Sequence, residues 1–293
     1  MVMEEETFEN SEQVLKRAIS DIEYEAKRNA CTADGDYIKD GLLHCRVCNE
    51  PKEARIKIFS EMIVPCLCKC GVAEREAEEQ KRKDEELRMK IERMKFECFE
   101  SKHLWTYTFE NCNIKNDLMY KTAIKYVENF DKLKADGLGL LYFGSVGYGK
   151  TYIAASIANA LIDKGHSCYM GSMASIAAIM SESSSKREFL KELTEYELFI
   201  IDDLGAERDS SYMNEVVYLI TDRRYHAHLP TIITTNMTGD ELRKPTDAAK
   251  KRVMSRLYEM CLFIEVKGKD RRRMESVENY EKYRDVLGLP GKE

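Results

Sequence analysis

Beyond residue 137, short apolar runs alternate with longer runs whose apolar positions recur every three or four residues, the pattern of strands feeding helices. Leu138–Phe143 (LGLLYF) reads as a buried strand and Tyr152–Leu161 as an alanine-rich helix. Ser167–Met170 follows as a strand and Ser172–Met180 as an apolar helix, then a polar loop over Ser181–Lys186 and a helix over Arg187–Thr194. Leu198–Asp203 (LFIIDD) is a strand ending in two carboxylates. A helix capped by Asp209 or Ser210 then runs to about His226. Pro230–Asn236 is another buried strand, Ala248–Met260 a helix, Leu262–Val266 a last strand, and one helix follows over Met274–Val286. Such alternation predicts an α/β fold, a parallel sheet flanked by helices.

The first hundred residues are patterned differently. Phe8–Arg28 reads as helical and Ala54–Val64 as strand-rich. From Ala73 to Lys95 nearly every residue is charged or polar, with larger apolar residues only at Leu87, Met89, Ile91 and Met94. Opposite charges four apart, Asp84 with Arg88 and Glu86 with Lys90, support a solvated spacer helix there. The expected organisation is an N-terminal region with a cysteine-rich module (1–72), a charged helical linker (73–100) and a nucleotide-binding domain (101–293).

Composition narrows the class. In 293 residues, 43% hydrophobic content suffices for a buried core, and the net charge of −6 argues against indiscriminate coating of nucleic acid. No apolar run reaches the ~18 residues of a membrane span, and the acidic start, Met1–Glu6, is unlike a signal peptide. The expectation is a cytoplasmic chain with no membrane partner. In a reducing compartment its ten cysteines point to metal or buried thiols. Cys45-Arg-Val-Cys48 is followed, after 17 residues, by Cys66-Leu-Cys68-Lys-Cys70. Two such groups suit tetrahedral Zn²⁺, which takes thiolates at about 2.3 Å and imidazoles at about 2.0–2.1 Å. Cys45, Cys48, Cys68 and Cys70 are the favoured zinc ligands, with Cys66 an alternative to either of the last two and His44 an outsider. Free buried thiols or an iron–sulfur ligand set remain open. Cys31, Cys98, Cys112, Cys168 and Cys261 are scattered and read as ordinary core or surface residues.

The chemistry concentrates at Gly144-Ser145-Val146-Gly147-Tyr148-Gly149-Lys150-Thr151, which matches G-x-x-x-x-G-K-[ST] between a strand and a helix. Glycines let backbone amides turn inward around a polyphosphate, and the helix adds its positive end. Lys150 is expected to reach the β/γ-phosphates of ATP, and Thr151 to take a place on Mg²⁺. In a parallel sheet, ligands gather at the carboxyl ends of strands. There Asp202 is the expected magnesium partner, Asp203 the residue that orients the attacking water, and Asn236 a sensor that contacts the γ-phosphate or polarises the same water.

Four segments together carry a resemblance: Leu138–Thr151, Ile200–Glu207, Leu229–Asn236 and Arg252-Val-Met-Ser-Arg256-Leu257. They resemble the DnaC/DnaI/IstB-like branch of the AAA+ ATPases. The cysteine groups, the charged helix and Thr106-Tyr-Thr-Phe109 resemble the helicase-loader members of that branch, so the likeness covers about residues 40–266. It implies an AAA+ P-loop ATPase core behind a small zinc-bearing module that grips a replicative DNA helicase. It also implies an ATP-dependent homo-oligomer that contacts single-stranded DNA. Carried over, Arg256 matches the arginine finger that reaches a neighbouring subunit's γ-phosphate, with Arg252 the second candidate, and a sensor is sought among Arg271, Arg272 and Arg273. Hydrolysing relatives carry Glu where this chain has Asp203, which puts the rate in question. Three functions compete: a helicase loader, an IstB-like transposition regulator, and a nucleotide-gated adaptor with little hydrolysis. The cysteine-rich module speaks against the second.

Overall fold

The computed structural model describes residues 35–57, 61–113, 117–182, 186–205, 211–245, 248–267 and 270–290. Helix Phe8–Arg28, Cys31 and the cap at Asp209 or Ser210 fall outside the described residues. Internal contacts divide the chain into two units, Met1–Leu87 and Arg88–Glu293.

In the first unit, β1 (Tyr37–Lys39) and β2 (Leu42–His44) form an antiparallel hairpin. Asp40 and Gly41, at φ 51° and 77°, make its two-residue turn, since Asp-Gly tolerates the left-handed pair that matches strand twist. A second hairpin pairs β3 (Glu53–Lys57) with β4 (Glu61–Pro65), confirming the strand-rich reading of this segment. Buried Glu53 ties the two together by accepting the Leu43 amide at 2.8 Å. Helix α1 (Lys69–Cys98) begins in this unit and continues past Leu87 into the second; it starts four residues before the expected point and ends three after it. Its i,i+4 ion pairs are Lys83–Glu79, Arg82–Glu86, Arg88–Glu92 and Arg93–Glu97. Glu86 and Arg88 thus pair with Arg82 and Glu92 rather than with Lys90 and Asp84. These exposed pairs are individually weak, and the helix stands on their number and on its helix-favouring composition.

The second unit is built on a five-stranded parallel sheet in the order β6-β7-β8-β5-β9. Its strands are β5 (Gly139–Phe143), β6 (Cys168–Ser172), β7 (Leu198–Leu204), β8 (Thr231–Thr235) and β9 (Cys261–Glu265). Each lies within two residues of its expected bounds. Alternate residues face opposite sides: Leu140, Tyr142, Ile200 and Ile232 enter one core, and Leu141, Phe199, Ile201 and Ile233 the other. The first core is covered by α2 (Leu118–Glu128), α3 (Phe130–Ala135) and α4 (Lys150–Asp163). The second is covered by α5 (Met173–Ser181), α6 (Lys186–Glu192), α7 (Ser211–His226) and α9 (Ala248–Met260). Short α8 (Gly239–Arg243) carries a capping box between Thr238 and Glu241. Helix α10 (Arg271–Leu287) is longer than expected at its start. Cys98, Cys112, Cys168 and Cys261 are buried, in keeping with their reading as ordinary residues. Among the described residues, no helix is long and apolar enough to cross a membrane.

Candidate functional site

The sheet order explains why the site forms where it does. Strand β8 lies between β5, which feeds the glycine loop, and β7, which carries the two acids just before its last residue, Leu204. The end of β8 therefore brings Thr234 and Asn236 between the loop and the carboxylates. Residues 144–149 bridge β5 and α4, and Gly149 caps the helix at φ 85°. Gly147 has φ 86°, a backbone angle that favours glycine; a Cβ there would also displace the Asp270 carboxylate, 2.1 Å away.

Lys150 is buried with its ammonium inside the loop. It donates to the carbonyls of Gly144 and Ser145, both at 2.9 Å, and to Asn236 Oδ1 at 2.8 Å. The other end of the same amide donates to Asp203 Oδ1 at 2.5 Å. Asn236 thus links cation to acid with each end in its proper sense. Asp203 sits at φ 60°, within the register shift between β7 and β8 that spans Ile201 to Leu204, with its amide donating to Thr234 Oγ1 at 2.8 Å. That conformation turns its side chain out of the strand, where it is exposed.

Asp202 accepts from Thr151 Oγ1 at 3.0 Å and from Thr234 Oγ1 at 2.6 Å. Burial pushes its carboxyl above the usual range; the two hydroxyls pull it back, Asp203 raises it further and Lys150 lowers it. A half-buried acid whose ionised form is disfavoured, with a hydroxyl alongside, is a donor set suited to Mg²⁺. Thr151 and Asp202 could supply it.

These residues line a cavity of about 670 Å³, within the range of small-molecule sites. Val146, Gly147, Tyr148, Gly149, Lys150, Thr151, Asp202, Asp203 and Asn236 form one wall. His103, Thr106, Tyr107, Asn111 and Asn113 form another, which the sequence reading did not assign to the site. Helix α4 anchors that wall: Asn159 Nδ2 donates to the Leu104 and Tyr107 carbonyls at 2.9 and 3.0 Å, and Tyr152 Oη to the Thr108 carbonyl at 3.0 Å. The Tyr107 and Tyr152 rings stack at 4.5 Å. Thr106–Phe109 was visible as a motif, but its approach to the glycine loop depends on α4 side chains far along the chain.

Arg256 and Arg252 lie outside this cavity, on α9. Arg256 pairs with Asp222 of α7 at 3.4 Å, while Arg252 is exposed. The side chains of Arg271, Arg272 and Arg273 are outside the described residues.

In the first unit, the Sγ atoms of Cys45, Cys48, Cys68 and Cys70 all lie within 4.8 Å of one another. The edge of a tetrahedron of zinc–thiolate bonds is about 3.8 Å, so the four fit one Zn²⁺. The 45–50 turn closes through Asn49 N–H to the Cys45 carbonyl and Cys45 N–H to the Glu50 carbonyl, both 2.9 Å. Amides of Glu50 and then Cys70 point at Cys48 and pull its thiol down to about 6. Cys66 is exposed and directs its sulfur to the Pro51 carbonyl at 3.5 Å. His44 is tied through Nδ1 to the Leu42 carbonyl at 3.0 Å. Neither belongs to the cluster.

A family model described as IstB-like ATP binding protein matches residues 72–279. The chain is 30% identical over 158 residues to the replicative helicase loader DnaC of Escherichia coli (strain K12), covering 51% of this chain and 62% of that protein. It is 25% identical over 181 residues to the replicative helicase loader DnaI of Bacillus subtilis (strain 168), covering 56% and 58% respectively. The chain thus spans about three fifths of the length of these curated relatives. Crystal structures of DnaI and of the DnaC helicase loader each align with a TM-score of 0.49 at 26% identity. They cover 60% and 57% of this chain and 95% and 100% of their own. With a family model matching well over half of its residues around a nucleotide-sized cavity, the chain belongs to the family of IstB-like ATP binding proteins.

Proposed function

We propose that this protein is a cytoplasmic, ATP-driven loader that engages a replicative helicase and single-stranded DNA, and that its copies assemble to complete one another's sites. The supporting observation is the Lys150–Asn236–Asp203 chain beside Thr151–Asp202 in one cavity. It stands in a chain whose relatives include proteins named as replicative helicase loaders.

In this reading the 144–149 amides and Lys150 bind the triphosphate of ATP, and the Tyr107 side of the cavity receives the base. Thr151 and Asp202 hold Mg²⁺, which when bound draws charge from the phosphate oxygens. Asp203 orients the attacking water, and Asn236 reports on the γ-phosphate through its bond to Lys150. Arg256, or Arg252, supplies positive charge to the site of the next copy. Cys45, Cys48, Cys68 and Cys70 hold a structural Zn²⁺ in the module that meets the helicase.

The test is deposition of a hexameric replicative helicase on circular single-stranded DNA, with ATP hydrolysis followed in parallel. Loading and DNA-stimulated turnover, both lost in Lys150→Ala, are expected; helicase that stays off the DNA overturns the proposal. A second reading, a nucleotide-gated adaptor, is favoured by Asp203, one methylene shorter than glutamate and tied to Asn236. Single-turnover assays without detectable hydrolysis, with and without DNA, would select it.

A further inference from the structure

Arg256 does not project loosely from α9. Its guanidinium carbon lies 4.3 Å from the centroid of the Tyr225 ring. Its Nη2 is 3.4 Å from Asp222 Oδ1, an oxygen that His226 Nε2 also approaches at 3.5 Å. The Tyr225 hydroxyl in turn donates to Glu259 Oε2 at 2.5 Å, which fixes the ring. Asp222 and Tyr225 are three apart on α7, and Arg256 and Glu259 three apart on α9, so each pair shares a helix face. The four side chains interlock across the seam between the helices. Yet the Arg256 side chain keeps 29% of its surface open.

The chemistry of this cradle is selective. An aromatic ring takes the face of a guanidinium and leaves its N–H edge for other acceptors. Asp222 engages one terminal nitrogen at a long distance near solvent, a contact weak enough to yield to a more highly charged anion. The 29% of the Arg256 side chain that stays open leaves room for a further acceptor. We propose that Asp222 and Tyr225 are positioning residues that hold the Arg256 guanidinium ready for the nucleotide phosphates of a second copy of this chain. This inference rests on the reading of Arg256 as a residue acting in trans.

The test is directional complementation, with ATP turnover measured in the presence of single-stranded DNA. A Lys150→Ala chain can donate Arg256 but not bind nucleotide; an Arg256→Ala chain can bind nucleotide but not donate. Each alone is inactive, and a mixture regains about a quarter of the wild-type rate, the fraction of head-to-tail contacts correctly paired. Adding Asp222→Asn and Tyr225→Leu to the donor lowers the regained rate about tenfold or more. The same pair in the nucleotide-binding chain leaves it within about twofold, with KM for ATP unchanged, and Tyr225→Phe in the donor, which keeps the ring, restores most of the loss. Thermal melting and ATP calorimetry on each chain verify folding. Equal effects in donor and acceptor, or none in either, overturn the cradle alone. Full activity in Arg256→Ala by itself, no recovery on mixing, or no turnover by the wild type overturns it together with the trans reading.

Discussion

Asn236 joins two charges of the cavity because an amide offers an acceptor to the Lys150 ammonium and a donor to the Asp203 carboxylate. Lys150 donates to the oxygens of Gly144, Ser145 and Asn236, and in the proposed function it would exchange them for the phosphates of ATP. Lys150→Ala should therefore weaken ATP binding at least about a hundredfold, read by calorimetry, because a charge-assisted contact is lost inside a confined loop. Tyr142 presents the opposite case. Its hydroxyl is buried beneath the sheet without a hydrogen-bond partner among the described residues. Tyr142→Phe should raise stability by about 1 kcal/mol in urea unfolding; a fall of that size would reveal a partner for the hydroxyl.

Strand β7 is entered through a loop gathered around Arg224, a fully buried arginine on α7. Its guanidinium donates to the carbonyls of Leu193, Tyr196, Glu197 and Pro230, and to Thr231 Oγ1. One side chain thus satisfies the ends of α6, β7 and β8, while lying 5.4 Å from the Phe199 ring. Arg224→Met keeps much of the volume but orphans four carbonyls. It should cost about 3–5 kcal/mol by denaturant titration, and a loss below about 1 kcal/mol would show that the loop satisfies itself otherwise. Because β7 carries Asp202 and Asp203 just before its last residue, Leu204, the same variant should also weaken ATP binding.

The two units rest on different physics. Arg88–Glu293 has two apolar layers around a sheet, whereas the described part of Met1–Leu87 has two short hairpins and few buried apolar side chains. Such a small module needs a staple, and the four-cysteine cluster provides a place for one. The full chain should bind one zinc, lose it in Cys45→Ser and retain it in Cys66→Ser, by metal analysis of the purified proteins. Chelation should collapse the hairpin signals in hydrogen exchange yet leave ATP affinity within about threefold. Loss of nucleotide binding on chelation would mean that the two units are not energetically separate.

Much of this was legible in the residue string because its signals are local. Ala248–Met260 is helical over its expected span, β5 and α4 flank the glycine loop as the motif requires, and the five strands lie where apolar runs predicted. The four favoured cysteines likewise follow from spacing, but spacing alone left Cys66 in competition. Only the hairpin that turns its sulfur toward Pro51 removed it. Leu118–Glu128 and Phe130–Ala135, which the pattern left unassigned, are α2 and α3, and the wall from His103 to Asn113 joined the cavity through Asn159 and Tyr152. The insertion of β8 between β5 and β7, and the meeting of Arg256 with Tyr225, were likewise decided in three dimensions. Helix periods, turn residues and phosphate loops are written within windows of ten or so residues. Strand order and side-chain partners emerge only when distant segments compete to bury the same surfaces.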